Sequence, residues 1–155
     1  MFHGQLLAIG ITEIAAQPLQ NVSEVDAVAG VGLTGDRYAL LQGSFQKPTD
    51  TLPMHVTLIE VETLEAAQRD YGIEITHLMT RRNLLTRGVP LNHLVGQSFQ
   101  IGDVLMRGVE LCEPCRHLQK LTCKEIHQPL VHRGGLRAEI VRGGRLRVGE
   151  SVRIA

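Results

Sequence analysis

The chain has 155 residues, the size of one domain spanning 1–155, and its 43% hydrophobic and 21% charged content is that of a globular protein with a real core. Sixteen basic residues balance sixteen acidic ones, so no net field draws in nucleic acid or an anionic membrane; 3% aromatic residues and no Trp leave little surface for stacking bases. Neither a nucleic acid nor a membrane is therefore expected as a partner.

Gln5 to Ile11 is a short apolar run and Val22 to Val28 alternates, with turn-prone Pro18 and Asn21 between them; both read as strands. Gly30, Gly32 and Gly35 interrupt regular structure and suit a loop that approaches a ligand closely. Gln42 to Pro53 is polar, carries Pro48 and Pro53, and reads as a mobile loop. His55 to Ile59 is a β-branched run expected as a buried strand. Glu60 to Tyr71 then carries Val61, Leu64, Ala67 and Gln68 at helical spacing, with Gly72 as the C-cap. Leu84 to Thr86, Ser98 to Ile101 and Val104 to Leu111 read as strands, the last two joined as a hairpin at Gly102-Asp103. Arg116 to His127 has helical features broken by Thr122 and stopped by Pro129. Leu136 to Val141, Arg145 to Val148 and Ser151 to Ile154 complete the strands. Many short strands with glycine turns and one good helix favour a mostly β, barrel-like domain over a βαβ fold.

Three cysteines cannot form a closed disulfide set, and no basic-flanked apolar leader or long apolar span is visible, so a reducing cytoplasm is expected. The chemically richest run is Glu110-Leu111-Cys112-Glu113-Pro114-Cys115-Arg116-His117, which puts thiols at the end of a predicted strand. Cys112 reads equally as a buried small hydrophobe. Cys115 follows Pro114 and precedes Arg116 and His117, whose charges favour a thiolate, the form that binds soft metals. Two alternatives remain open. One is a zinc set from Cys112, Cys115, Cys123 and His127, and the other is a redox disulfide between Cys112 and Cys115.

Among the basic residues only Lys47, Lys120 and Lys124 are lysines; the rest are arginines, whose planar forks match phosphate and carboxylate oxygens. In Arg81-Arg82-Asn83, strand alternation predicts Arg81 and Asn83 on one side and Arg82 on the other. Arg81 and Asn83 could together hold a phosphate and a ring edge, although an exposed basic edge is the plain alternative. Asp36 reads as a turn cap or ion-pair partner of Arg37 as readily as a functional group. In His132-Arg133-Gly134-Gly135-Leu136-Arg137 the glycines serve the backbone, and His132 or Arg133 is a candidate to line a site. His3, His55, His77 and His93 read as incidental. The Gly30 to Gly35 segment has neither the spacing nor the Lys-Ser/Thr end of a phosphate loop.

Four blocks in order, Gly35-Asp36-Arg37, Arg81 to Val89, Glu110 to His117 and His132 to Arg137, resemble the MOSC domain, the C-terminal domain of molybdenum-cofactor sulfurases. The resemblance runs from about Ser23 to Ala155 and is closest to the small stand-alone bacterial type. It implies a MOSC-type β-barrel-like domain with a few short helices and a molybdopterin-type molybdenum cofactor. Cys115 would be the metal ligand and catalytic thiolate, with Arg37, Arg81 and Asn83 contacting the cofactor. It further implies reduction of N-hydroxylated small molecules, with electrons from an external reductase or ferredoxin-like donor, because the chain has no iron–sulfur, flavin or haem pattern. The alternative it leaves is a sulfur or cofactor carrier. Cys115 would then hold a persulfide supplied by a cysteine desulfurase, and any pyridoxal phosphate would belong to that partner. A zinc-stabilised interaction module is the third reading.

Overall fold

The computed structural model of the protein describes residues 1–44, 53–114, 118 and 126–155. Eleven strands run in chain order: β1 Gly4–Ile11, β2 Gln20–Val22, β3 Glu24–Val28, β4 Gly32–Leu33, β5 Val56–Glu60, β6 Leu84–Arg87, β7 Ser98–Ile101, β8 Val104–Leu111, β9 Leu136–Arg142, β10 Gly144–Arg147 and β11 Ser151–Ile154. Two α-helices, α1 Val61–Tyr71 and α2 His127–Leu130, and single 3-10 turns at Leu78–Thr80 and Leu91–Leu94 lie between the strands.

Seven strands close into a barrel in the order β11-β7-β8-β9-β5-β6-β1, with β1 pairing back onto β11 and β2 appended to β1. Every pair is antiparallel except β5 with β6, which are parallel because α1 carries the chain from one to the other. A smaller sheet, β10-β3-β4, lies apart from the ring. Closure removes the unpaired edges that an open sheet of this size would expose.

Alternation decides what goes inside. Leu6 and Ile9 of β1, Leu58 of β5, Phe99 and Ile101 of β7, Met106 of β8 and Leu136 of β9 are fully buried in one core that also takes Leu33 and Leu146 from the small sheet. A second apolar cluster lies where α1 packs on the barrel, joining Ile59 and Leu85 to Leu64, Ala67, Ile126 and Leu130. That arrangement explains why β5 is buried along nearly its whole length: Leu58 faces the barrel core while Ile59 faces the helices. Helix α1 ends as its sequence predicts. Gly72 adopts a left-handed φ of 66°, its N–H reaches the Gln68 carbonyl at 3.0 Å, and the Ile73 N–H reaches Ala67 at 3.3 Å.

Two expectations shift. The strand predicted from Val22 to Val28 is two strands, because β2 pairs with β1 in the barrel whereas β3 pairs with β10 and β4 in the small sheet. Pro129 does not stop a helix but sits inside α2. It is tolerated there because it occupies the first turn, where a backbone N–H would have no intrahelical acceptor. Most of the predicted loop from Gln42 to Pro53, and most of the predicted helix from Arg116 to His127, lie outside the described residues.

Candidate functional site

The Gly35 turn presents Asp36 and Arg37 to the interior, where they are 0% and 4% exposed. Asp36 Oδ1 accepts from the Thr12 N–H at 3.1 Å and from Arg37 Nη1 at 3.1 Å, and its Oδ2 accepts from the Tyr38 N–H at 3.3 Å. Asp36 is therefore both the turn cap and the counter-charge. Arg37 stacks its guanidinium 4.4 Å from the Tyr38 ring centroid and donates from Nη2 to the Arg81 carbonyl at 3.1 Å.

Arg81 is not a strand residue. It closes the 3-10 turn Leu78–Thr80 with a φ of 60°, a left-handed conformation that non-glycine residues seldom adopt. The buried Thr80 hydroxyl anchors the turn by donating to the His77 carbonyl at 2.6 Å. This twist overturns the alternation argument for Arg81-Arg82-Asn83, because the strand begins only at Leu84. Arg81 and Arg82 both line one cavity, whereas Asn83 lies beneath it, fully buried. Asn83 Oδ1 accepts from the Thr57 N–H at 3.0 Å and the Thr57 hydroxyl at 3.1 Å, while its Nδ2 donates to the Gly10 carbonyl at 3.0 Å. Its amide brackets β1 and β5 together and positions Thr57, which does reach the cavity.

The cavity has a volume of about 360 Å³. Its charged lining consists of Arg37, Arg81, Arg82 and Arg137 against Glu110 and Glu113. Arg37 is matched by Asp36, and Arg137 by Glu110 across the β8–β9 pair. Glu113 is taken by His132, accepting from its backbone N–H at 2.9 Å and lying 3.3 Å from its Nδ1. Among the described residues Arg81 and Arg82 have no carboxylate within ion-pair distance. Arg82 donates to the Gly134 carbonyl at 2.7 Å and the Cys112 carbonyl at 3.3 Å. Arg81, 8% exposed, donates to the Gln17 carbonyl at 2.5 Å. Burial and the neighbouring Arg37 hold the Arg81 guanidinium below its ordinary pKa, so the folded chain pays a desolvation cost here that a bound anion would offset.

Cys112 forms the far wall, buried at 6% exposure as a free thiol, with its N–H on the Gly135 carbonyl at 2.8 Å. A Cβ at Gly134 would overlap the Cys112 carbonyl oxygen, so only glycine lets the two segments pack this closely. Cys115 and Cys123 lie outside the described residues, and with them the expected thiolate ligand, the Cys112–Cys115 disulfide and two of the four members of the zinc set. Arg133 lines a different hollow of about 440 Å³ beside α1, with Glu60, Glu62 and His93. Cys112, the described cysteine, lines the arginine-lined cavity and not this hollow.

The sequence model of the MOSC domain matches residues 51–153, two thirds of the chain. The chain belongs to the MOSC domain family. Solved structures agree on the fold. The YuaD protein from Bacillus subtilis superposes with a TM-score of 0.79 at 15% identity, covering 98% of this chain and 97% of that one. YiiM from Geobacillus stearothermophilus gives 0.71 at 12% identity, over 98% of this chain and 75% of its own. YiiM from Escherichia coli gives 0.67 at 16% identity, over 97% and 69%. No curated protein sequence matches significantly. No helix of the described residues is long and apolar enough to cross a membrane.

In this MOSC domain's cavity Tyr38 and Thr57 carry no signal in the sequence alone, nor does the pairing of Arg137 with Glu110. Tyr38 stacks on Arg37, Thr57 meets Asn83 across 26 residues of chain, and Arg137 faces Glu110. His55 and His77 are not incidental either. His55 Nδ1 accepts from the Ile140 N–H at 2.9 Å, and His77 Nε2 lies 2.8 Å from the Arg82 carbonyl, bracing the segment that presents the arginines.

Proposed function

We propose that this MOSC domain binds a molybdopterin-type molybdenum cofactor in the arginine-lined cavity and reduces N-hydroxylated small molecules there. The observation that carries the reading is Arg81: a buried guanidinium, pressed by Arg37 and without a carboxylate partner among the described residues, at the wall of a cavity that also holds Cys112. Such a group calls for an anionic ligand, and a phosphate offers the bidentate geometry a guanidinium prefers. Arg81 and Arg82 would hold the phosphate, with Arg37 fixed behind them by Asp36. Asn83 would act from below, holding Thr57 in place rather than touching the cofactor. Cys115, three residues beyond the wall cysteine, would supply the thiolate to the metal.

When bound, the group supplies an oxygen-accepting, two-electron redox centre. The chain's own part is to bind and orient. Arginines neutralise the anion, the buried floor excludes bulk water, and the Glu110–Arg137 pair meets the substrate side. Converting N–OH to N–H consumes two electrons and two protons and releases water, so an external reductase or ferredoxin-like donor is part of the reading.

Cofactor-loaded protein, given a chemical reductant and benzamidoxime, should form benzamidine over many turnovers, and Cys115→Ala should abolish this. One labelled sulfur accepted on Cys115 from a cysteine desulfurase, with no reduction of benzamidoxime, would replace the reductase by a sulfur carrier.

A further inference from the structure

The hollow of about 440 Å³ beside α1 is walled by the start of that helix, by the turn Leu91–Leu94 and by the stretch after α2 that carries Arg133. Hydrogen bonds hold the three walls in place. Glu60 Oε1 accepts from the Leu91 N–H at 2.8 Å, Asn92 Nδ2 donates to the His132 carbonyl at 2.8 Å, and the Arg133 N–H reaches the Leu130 carbonyl at 2.9 Å. The charges of this hollow are kept apart. Glu60 and Arg133 both line it, yet among the described residues neither has an oppositely charged side chain within ion-pair distance. Burial raises the Glu60 carboxyl pKa and the Arg133 charge pulls it the other way, so the two act on each other across the space between them.

Thr63 stands three residues after Glu60, on the same face of the helix start, and lines the hollow while only 5% exposed. Its hydroxyl has no hydrogen-bond partner among the described residues. The orphaned polar atoms that are closed to solvent there are Glu62 Oε2 and Arg137 Nε, so the Thr63 hydroxyl keeps a surface open to the hollow. A buried hydroxyl left unpaired at a cavity wall marks a place for a polar ligand group. Among the described residues no three His, Cys, Asp or Glu side chains stand close enough to share a metal ion, so the negative wall suits an organic cation. Ala66, Pro90 and Leu91 give the hollow its apolar surface.

We propose that this hollow is a second ligand site, which takes a free α-amino acid with an aliphatic side chain. Glu60 and the Thr63 hydroxyl accept from its ammonium group, the Arg133 fork grips its carboxylate, and the apolar surface receives its side chain. A simple anion satisfies Arg133 and is repelled by Glu60, whereas a simple cation does the reverse. A ligand that carries both charges satisfies both walls. The site is separate from the arginine-lined cavity and does not depend on what that cavity binds.

Isothermal titration calorimetry of the full chain tests this with three probes that share one carbon skeleton: L-leucine, L-leucinol, which lacks the carboxylate, and isocaproate, which lacks the ammonium. L-leucine should saturate one site per chain, and each of the other two should bind at least about tenfold more weakly. Glu60→Gln keeps an acceptor for the Leu91 N–H but loses the charge, Arg133→Gln loses the fork, and Thr63→Val removes the hydroxyl at nearly constant shape. Each should weaken L-leucine binding, the two charge changes by about tenfold, while Arg81→Ala in the other cavity leaves it within about twofold. Absence of saturable L-leucine binding to wild type would overturn the proposal, as would leucinol or isocaproate binding as tightly as L-leucine. L-leucine affinity unchanged in both Glu60→Gln and Arg133→Gln, or lost in Arg81→Ala, would place the amino acid elsewhere and overturn it too.

Discussion

Replacing Asn83 by alanine should cost about 3 to 5 kcal/mol of stability, because it orphans three buried groups at once. Asn83 Oδ1 is the acceptor for both the N–H and the hydroxyl of Thr57, and Asn83 Nδ2 is the donor to the Gly10 carbonyl. Asn83 is 0% and Thr57 2% exposed, so bulk water does not replace the lost partners. An orphaned buried polar group costs about 1 to 3 kcal/mol, and partial relaxation around the truncated side chain keeps the sum toward the low end of that range. The Thr57 hydroxyl also accepts from the Asn83 backbone N–H at 3.1 Å, a contact alanine preserves, so the hydroxyl is the least affected of the three. Urea unfolding followed by circular dichroism reads the effect as a lowered midpoint at unchanged slope. Because Thr57 lines the cavity, phosphate affinity measured on the still-folded variant should fall as well. A loss of stability below about 1 kcal/mol would mean that the amide does not bracket β1 and β5, and that Asn83 is available to a ligand after all.

Burial holds both His55 and His77 below the ordinary histidine pKa, whereas the unfolded chain takes up protons near pH 6.5. Their contribution to stability is thus complete above about pH 6.5 and lost as pH falls below it, so the melting temperature should drop between pH 7.5 and 5.5. His55→Asn, which keeps an acceptor for the Ile140 N–H, should flatten that dependence; an unchanged slope would refute the assignment. Glu60 carries the opposite sign, since burial raises its carboxyl pKa while it accepts from the Leu91 N–H at 2.8 Å. Glu60→Gln retains an acceptor and should raise the melting temperature at pH 7.5, whereas a lower one would show that the charge is needed. Gly134→Ala should cost about 1 to 3 kcal/mol through its overlap with the Cys112 carbonyl, and should increase the reactivity of the Cys112 thiol; a neutral effect in thermal melts would contradict the close packing there.

The barrel is legible because its physics is local. The hairpin of β7 and β8 alternates cleanly on either side of Gly102-Asp103, and α1 shows both its apolar spacing and its glycine cap. What escapes sequence reading depends on distance along the chain or on backbone twist. Strand alternation misplaces Arg82 and Asn83, because Arg81 adopts a left-handed conformation that nothing in an Arg-Arg-Asn run announces. Thr57 reads as one more buried strand residue, and its role emerges only when Asn83, 26 residues later, folds against it. The sequence leaves Asp36 between cap and function, and its three hydrogen bonds make it the structural partner of Arg37. The concentration of arginines was visible; which of them lack a carboxylate partner was not, because that follows from pairings such as Glu110 with Arg137 between strands.

In the function proposed above, the cavity holds a molybdenum cofactor through Cys115 and through Arg81, which has no carboxylate partner among the described residues. Metal analysis of the protein purified from a host that makes this cofactor tests it most directly, with Cys115→Ser, Arg81→Ala and Cys123→Ser beside wild type. About one molybdenum per wild-type chain, lost in Cys115→Ser, strongly reduced in Arg81→Ala and kept in Cys123→Ser, is the predicted result. Stoichiometric zinc in wild type that disappears in Cys123→Ser, or the same molybdenum content in Arg81→Ala as in wild type, would contradict it.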